Sequence, residues 1–384
     1  MKELIGIYIG TILLMFLSQA YYPPSSPADI RYSSRHYMLQ KSDIFMVAVI
    51  AWLTCFSFLR RDYNDTYNYI NFYRQAVSAK EFIAQGGLSD FAGNPLSYFY
   101  QSFMHDLTEN YHIYFFLPAI LSCFAVIKLF KRYSVSPALS LLIFFSIGTY
   151  LLYIAALKQC FAMFFLLMSI PYVIDRKYVK FYVLLFVAML FHVHAFMFAS
   201  VPFLLGNPWG KVTWVFWGAT VFAMLTYNVT LGAFMKYAQS LGAMVIDEEV
   251  FDGHQIHILR VFVYLVPALL ALIFRRRLFY NSTSAENLFV NLSIISAFIL
   301  MIGTVEGANL YARMAGYFEI ATAVALPWMI NKLFTKRSAK MVTTIAVVLY
   351  FGYFCYEFTV SKPFDAMYSA ITLWEFIISL FKGL

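Results

Sequence analysis

The chain has 384 residues, of which 61% are apolar, 20% aromatic and only 12% charged, and it carries a formal net charge of +8. An average soluble domain is roughly 45–50% apolar and about 25% charged, so a water-soluble fold is excluded, and the positive charge reports membrane topology rather than nucleic-acid binding. Four cysteines (Cys55, Cys123, Cys160, Cys355) lie singly in apolar runs without C-x-x-C spacing, which argues for packing roles over a disulfide framework or a zinc site.

A crossing helix needs about 20 predominantly apolar residues, because its backbone groups find no water in the bilayer. The first such run is Leu4 to Tyr21; it lacks a small-residue cleavage site and is followed by Pro23-Pro24, so it reads as a span and not a signal peptide. Ile44 to Leu59 is the second span. A polar interval follows, residues 60–110, opening with Arg60-Arg61-Asp62-Tyr63-Asn64-Asp65-Thr66. Within it, Thr66 to Ala84 places Tyr69, Ile70, Tyr73, Ala76 and Val77 three and four apart, the pattern of an amphipathic surface helix. Gly86-Gly87 break it, and Pro95 to Leu107 forms a second amphipathic piece after the Gly93-Asn94-Pro95 turn.

Further spans run from Tyr111 to Leu129, Ala138 to Ala156, Gln159 to Ile174, Phe181 to Leu205, Ile258 to Phe274, Leu288 to Gly303, Met314 to Ile330, Met341 to Tyr356 and Phe364 to Leu380. Val212 to Ile246 starts apolar but carries Asn228, Lys236 and Gln239, so residues 212–257 read as a re-entrant segment and a second outer loop. The expected fold is all-α: one membrane domain over residues 1–384, a polytopic bundle of about eleven transmembrane helices plus a re-entrant or paired segment, with amphipathic helices in the first outer loop.

Lys and Arg of short loops collect on the cytoplasmic side. An N-terminus outside places Arg31, Arg35 and Lys41, Lys128 to Arg132, Arg176 to Lys180, Arg275 to Arg277, Lys332 to Lys340, and Lys382 on that side, provided that Val212 to Ile246 makes an even number of crossings. The chain is thus expected in a bacterial inner membrane with residues 60–110 in the periplasm.

A charged side chain at mid-bilayer costs roughly 2.5–3.5 kcal/mol on insertion scales, so each implies a wet cavity, a partner or a function. The candidates gather on the outer side: Arg60, Arg61, Asp62 and Asp65 at the mouth of the second span, Lys158-Gln159 at an outer turn, His192 and His194 in one span, Arg260 at the start of another, and Glu306 and Arg313 ahead of Met314. Each has a plainer reading. Arg60, Arg61 and Arg313 can anchor helix ends at headgroups, and Asp65 can cap the helix that begins near Thr66. His192 and His194 are two apart and cannot form an i, i+4 metal pair. Lys158 is the hardest to dismiss, because it interrupts an apolar run with no loop residues around it.

These residues resemble a known family. Arg61-Asp62-Tyr63-Asn64-Asp65-Thr66 with Tyr69 and Tyr73 is similar to the Arg…Asp-Thr-x-x-Tyr opening of the first outer loop in EpsG-like, Wzy-type polysaccharide polymerases. Leu157-Lys158-Gln159-Cys160-Phe161-Ala162 resembles that family's Leu-Arg-Gln-x-x-Ala, Phe191-His192-Val193-His194-Ala195 its Phe-His-x-Ser-Ala, and Arg313 with Tyr317-Phe318 its late Arg…Tyr-Phe. Two departures stand out: Lys158 replaces the usual Arg, keeping the charge but losing the bidentate fork, and Asn64 stands where a Gly often precedes the first-loop Asp.

The resemblance implies transfer of a growing glycan from undecaprenyl pyrophosphate to a new lipid-linked repeat unit on the outer face. Arg60, Arg61, Lys158, Gln159, Arg260 and Arg313 are then the candidate pyrophosphate-binding residues, and Asp62, Asp65, His192 and Glu306 compete for the role of base. The implied partners are lipid-linked oligosaccharides, the bilayer and a chain-length regulator protein; no metal, cofactor or nucleic acid is implied. The rival classes are a lipid-linked glycan flippase, whose charges should lie near mid-bilayer between repeats, and another outer-face transferase such as an O-antigen ligase.

Overall fold

The computed structural model describes residues 2–21, 43–227, 229, 254–361 and 364–382. Arg31, Arg35 and Lys41, and residues 236–253 of the outer loop expected from Lys236 to His257, lie outside the described residues. In chain order the helices are α1 (Lys2–Tyr21), α2 (Asp43–Phe58), α3 (Thr66–Arg74), α4 (Ala79–Ala84), α5 (Pro95–Leu107), α6 (Tyr111–Tyr133), α7 (Pro137–Ser146), α8 (Thr149–Ala155), α9 (Leu157–Ile174) and α10 (Tyr178–Phe191). A 3-10 helix, Val193–Leu205, follows; then come α11 (Lys211–Leu225), α12 (Ile258–Ile273), α13 (Arg275–Leu278), α14 (Ser284–Ile302), α15 (Ala308–Ala315), α16 (Ile320–Leu333), α17 (Lys336–Tyr356), a π-helical turn Glu357–Ser361, α18 (Phe364–Met367) and α19 (Leu373–Lys382). Two short strands, β1 (Arg60–Asp62) and β2 (Ser369–Ala370), pair antiparallel.

The all-α expectation holds. Tyr111–Tyr133, Leu157–Ile174, Ser284–Ile302 and Lys336–Ser361 are long and apolar enough to cross a membrane, and Pro137–Ser146 with Thr149–Ala155 adds a fifth if that pair, bent by 60°, is one span. The other apolar helical stretches among the described residues, Leu4–Leu17 of α1 included, run only 10–17 residues, so length alone does not reach the expected span count. The protein is a membrane protein.

The chain packs as two compact units, Met1–Met168 with Leu190–His192 and Ile345–Leu384, and Ser169–Met189 with Val193–Thr344. In the first unit α1 lies on α2 and α7, its Tyr8 hydroxyl 2.8 Å from Ser146 Oγ. The bend between α7 and α8 occurs at Gly148, whose φ of +81° and whose face against the Phe358 ring, 3.1 Å from where a Cβ would stand, suit glycine alone. In the second unit α14 is the central helix, with α11, α12, α15, α16 and the 3-10 helix around it. Its Asn291 donates to the carbonyls of Leu204 (2.7 Å) and Gly206 (2.8 Å), and Asn287 to Asn207 Oδ1 (3.0 Å).

Four expected segments are built differently. Thr66 to Ala84 is two helices, because Ser78 starts a second one by accepting from Glu81 N–H, while Asp106 accepts from Ala79 N–H. Phe181 to Leu205 does not cross as one span: α10 stops at Phe191, whose carbonyl accepts from Ser97 Oγ (2.6 Å), and the 3-10 helix turns back so that Ala199 O accepts from Tyr182 (3.4 Å). Met314 to Ile330 is interrupted at Gly316–Glu319, leaving Arg313 inside the short helix α15.

Phe364 to Leu380 is not a span either. It is broken into α18, β2 and α19; Ile371 N–H donates to Leu59 O (2.9 Å), and Asn110 Nδ2 to Ser379 Oγ (2.9 Å). Strand pairing with Arg60–Asp62 takes the backbone out of the helix. The terminal helix, whose Lys382 was expected with the cytoplasmic loops, therefore lies on the side of residues 60–110.

Candidate functional site

The candidate residues fall into two groups, one in each unit. In the first, α2 leads directly into them, and the carbonyls of Phe56, Ser57 and Phe58 at its end, and of Leu59 just after it, each meet a different partner. Phe56 O accepts from Tyr368 OH (2.9 Å), Ser57 O from Arg60 Nη1, Phe58 O is paired with His112 Nδ1 (2.9 Å), and Leu59 O accepts from Ile371 N–H (2.9 Å). A helix end normally leaves these groups to water; here tertiary donors set the direction in which the chain leaves the helix.

Arg60 turns inward. Its side chain is buried, its guanidinium lies over Phe115 with Cζ 4.1 Å from the ring centroid, and Nε donates to Thr66 Oγ1 at 2.9 Å, which donates in turn to Tyr63 O at 2.6 Å. Burial pushes the guanidinium down to about 10 from its ordinary value. Its Nη2 is buried and makes no hydrogen bond among the described residues. Arg61 and Asp62, next along β1, are exposed, and Tyr63 is buried against Phe364 and Tyr368. Asn64 sits at φ +52°, so the position where a Gly is common in the resembled motif does take the left-handed conformation, which Asn tolerates better than most residues. Asp65 stands at the N-cap of α3, but its side chain makes no capping bond, so the capping expectation fails.

An aromatic layer holds the helices of the 60–110 region onto α6 and α9. Tyr73 stacks on Tyr114 at 4.8 Å and its one hydroxyl hydrogen is shared between Thr108 O (2.5 Å) and Met104 O (3.0 Å); Tyr100 packs edge-on to Phe161 at 4.8 Å and donates to Tyr114 O (2.7 Å). Above this layer Lys158, in the first turn of α9, sets its Nζ 3.8 Å from the centre of the Tyr98 ring. Gln159 beside it is buried, and His192, half-buried, follows Phe191, which stacks on Phe161 at 4.5 Å. The first unit thus holds Arg60, Arg61, Asp62 and Asp65 at the end of α2, and Lys158, Gln159 and His192 where α9 begins and α10 ends. Neither Arg61 nor Lys158 has an ion-pair partner among the described residues.

The second unit holds His194, Arg260, Glu306 and Arg313. Arg260 Nη2 lies 3.4 Å from Glu319 Oε1, and Glu319 is fully buried. Glu306 is half-exposed on a tight turn pinned by residues 254–256: Ile256 N–H donates to Gly303 O (2.8 Å), Gln255 Nε2 to Val305 O (3.0 Å) and Ala308 N–H to His254 O (2.9 Å). Gly307 in that turn has φ +72°, with the Tyr227 hydroxyl 2.8 Å from where a Cβ would stand. Arg313 is half-buried and donates from Nε to Asn309 Oδ1 one helical turn back (3.1 Å).

Sequence reasoning passed over Tyr98, Phe115, Glu319 and Glu357, and gave Thr66, which it placed in the first-loop motif, no role of its own. The two glutamates had a signal: each is a carboxylate within or beside an apolar run, the same criterion that singled out Lys158. Glu357 is buried on the π-helical turn and accepts from Tyr353 OH (3.4 Å). The ring partners had no such signal, because aromatic residues are everywhere in this chain.

In comparison with known proteins, the pattern of the EpsG family matches residues 43–372. No curated protein and no solved structure matches the chain.

Proposed function

This chain belongs to the EpsG family of Wzy-like polysaccharide polymerases, and we propose that it joins undecaprenyl-pyrophosphate-linked oligosaccharide repeat units into a surface polysaccharide on the periplasmic face of a bacterial inner membrane. The observation that carries this reading is that the first unit holds two cations, Arg61 and Lys158, neither in a salt bridge among the described residues, with Glu375 the carboxylate that feels the charge of Arg61. In the reaction the acceptor hydroxyl oxygen bonds to the anomeric carbon of the donor glycan, the C1–O bond to pyrophosphate breaks with its electron pair, and the hydroxyl proton passes to a base. Negative charge grows on the leaving pyrophosphate, and fixed cations stabilise it without reorganising.

Within that scheme Arg61 and Lys158 take the pyrophosphate in the first unit, with Gln159 beside them, and Arg313 is the candidate of the second. Asp62, Asp65, His192 and Glu306 remain the candidate bases. Arg60 shapes the loop from inside, and Arg260 is already neutralised by Glu319. A chain-length regulator remains a proposed partner.

The shorter apolar helices are proposed to cross as well, giving about twelve crossings with both described ends outside. Counting α10, the 3-10 helix and α11 as three passes keeps His192 outside and Arg275–Arg277 inside, the same parity as one span followed by a re-entrant segment. At about 2.0 Å per residue, the 13-residue 3-10 helix spans nearly the thickness of the hydrocarbon core.

The test is complementation of a deletion strain with Arg61→Ala and Lys158→Ala, read as a glycan ladder. Single-unit glycans without a ladder are expected from well-expressed variants. Full-length ladders from both, or from the deletion strain itself, would sink the reading.

A further inference from the structure

Helix α19 has one face with partners and one without. It begins sharply, because Thr372 and Glu375 cap each other: Thr372 N–H donates to Glu375 Oε2 (2.7 Å) and Glu375 N–H to Thr372 Oγ1 (3.2 Å). On its protein side Phe376 stands edge-on to Phe58 (5.0 Å) and His112 (6.1 Å), and Ser379 accepts from Asn110 (2.9 Å). On the other side Leu373 (49%), Trp374 (69%), Leu380 (39%) and Phe381 (71%) are exposed. Positions 373 and 374 recur seven residues later as 380 and 381, about two helical turns on, so they form one stripe.

The height of this helix is set by its neighbours. Asn110 is the N-cap of α6, which is long and apolar enough to cross, and Leu59 directly follows the apolar helix α2. Both mark the level at which hydrocarbon gives way to headgroups. At 1.5 Å per residue, α19 is about 15 Å long against a core of about 30 Å, too short to cross. We infer that α19 lies along the membrane–water interface on the side of residues 60–110, with the Leu373, Trp374, Leu380 and Phe381 stripe seated among lipid at the headgroup–acyl boundary. Amphipathic helices with Trp, Phe and Leu on one face bury it about 5–10 Å deep, and Trp favours that level. The lipid surface then anchors the strap Ser369–Thr372 that runs along Arg60–Asp62.

The experiment is nitroxide accessibility on the full chain in phospholipid nanodiscs, with W374C, E375C and F381C made one at a time in a C55A/C355A background that still supports a glycan ladder. Labels at 374 and 381 are expected to be oxygen-rich and at equal depth, and the label at 375 to be open to an aqueous nickel chelate. Depths at 374 and 381 differing by about 10 Å, seven residues of rise, would mean a crossing helix and overturn the inference. Chelate access at all three, or immobile labels reached by neither reagent, would overturn it too, the first showing a helix in water and the second a protein partner on the stripe.

Discussion

The Leu59 carbonyl accepts from the Ile371 amide at 2.9 Å, so a residue near the end of the chain closes the helix that leads into Arg60–Asp65. Tyr368 does the same for Phe56 and stacks on its ring at 4.6 Å. The orientation of the first candidate group is therefore a property of both ends of the family-matched region.

Tyr368→Phe removes one hydroxyl and leaves Phe56 O without its tertiary donor. A single hydrogen bond is worth about 1 kcal/mol net, so a small drop in the thermal midpoint of detergent-purified protein is expected, with the glycan ladder retained. Tyr368→Ala also loses two ring stacks and should be destabilised by about 3 kcal/mol or more. Equal midpoints for the two variants would show that the ring contacts contribute nothing.

Arg60 and Arg61 should separate cleanly. Arg60→Ala takes a cation off Phe115 and strands Ser57 O and Thr66, a change expected to cost about 2–4 kcal/mol of stability. Arg60→Lys should recover little, because one ammonium cannot reproduce the planar fork. Arg61→Ala is expected to leave the midpoint within about 0.5 kcal/mol of the parent while abolishing the ladder. If Arg61→Ala unfolds the protein and Arg60→Ala does not, the assignment of the two roles is reversed.

Glu319→Gln leaves Arg260 facing a neutral amide in a largely buried setting. Breaking such a pair by removing one partner typically costs about 3–5 kcal/mol, whereas replacing both by apolar residues is often close to neutral. The double variant Arg260→Met with Glu319→Leu should therefore be more stable than Glu319→Gln alone, as thermal unfolding of all three would reveal. A double variant less stable than the single one would mean that the pair is held by more than its mutual charge.

Sidedness offers a fourth check. Cysteines introduced at Ser89 and Ser379 should react with a membrane-impermeant reagent from the same side, and cysteines at Arg176, which is exposed, and Ser338 only from the other. Labelling of Ser379 together with Ser338 would restore a crossing between residues 364 and 380.

Composition and local hydropathy were enough to establish the class of this protein, because transfer of apolar surface out of water is roughly additive along a chain. They also sufficed to single out Arg60, Arg61, Lys158 and Arg313, since an ion among apolar residues is conspicuous whatever the fold. Helix breaks within apolar runs were less legible. The stops at Phe191 and at Gly316–Glu319 depend on which side chain reaches a carbonyl, and hydropathy does not record that. Least legible of all was the choice between Arg60 and Arg61, two identical side chains in adjacent positions. The pairing of Arg60 with Ala370 and Asp62 with Ser369 is bulged at Arg61, so strand alternation does not choose between them. Arg60 goes inward because Phe115, Thr66 and the Ser57 carbonyl receive its guanidinium, contacts that hydropathy does not record.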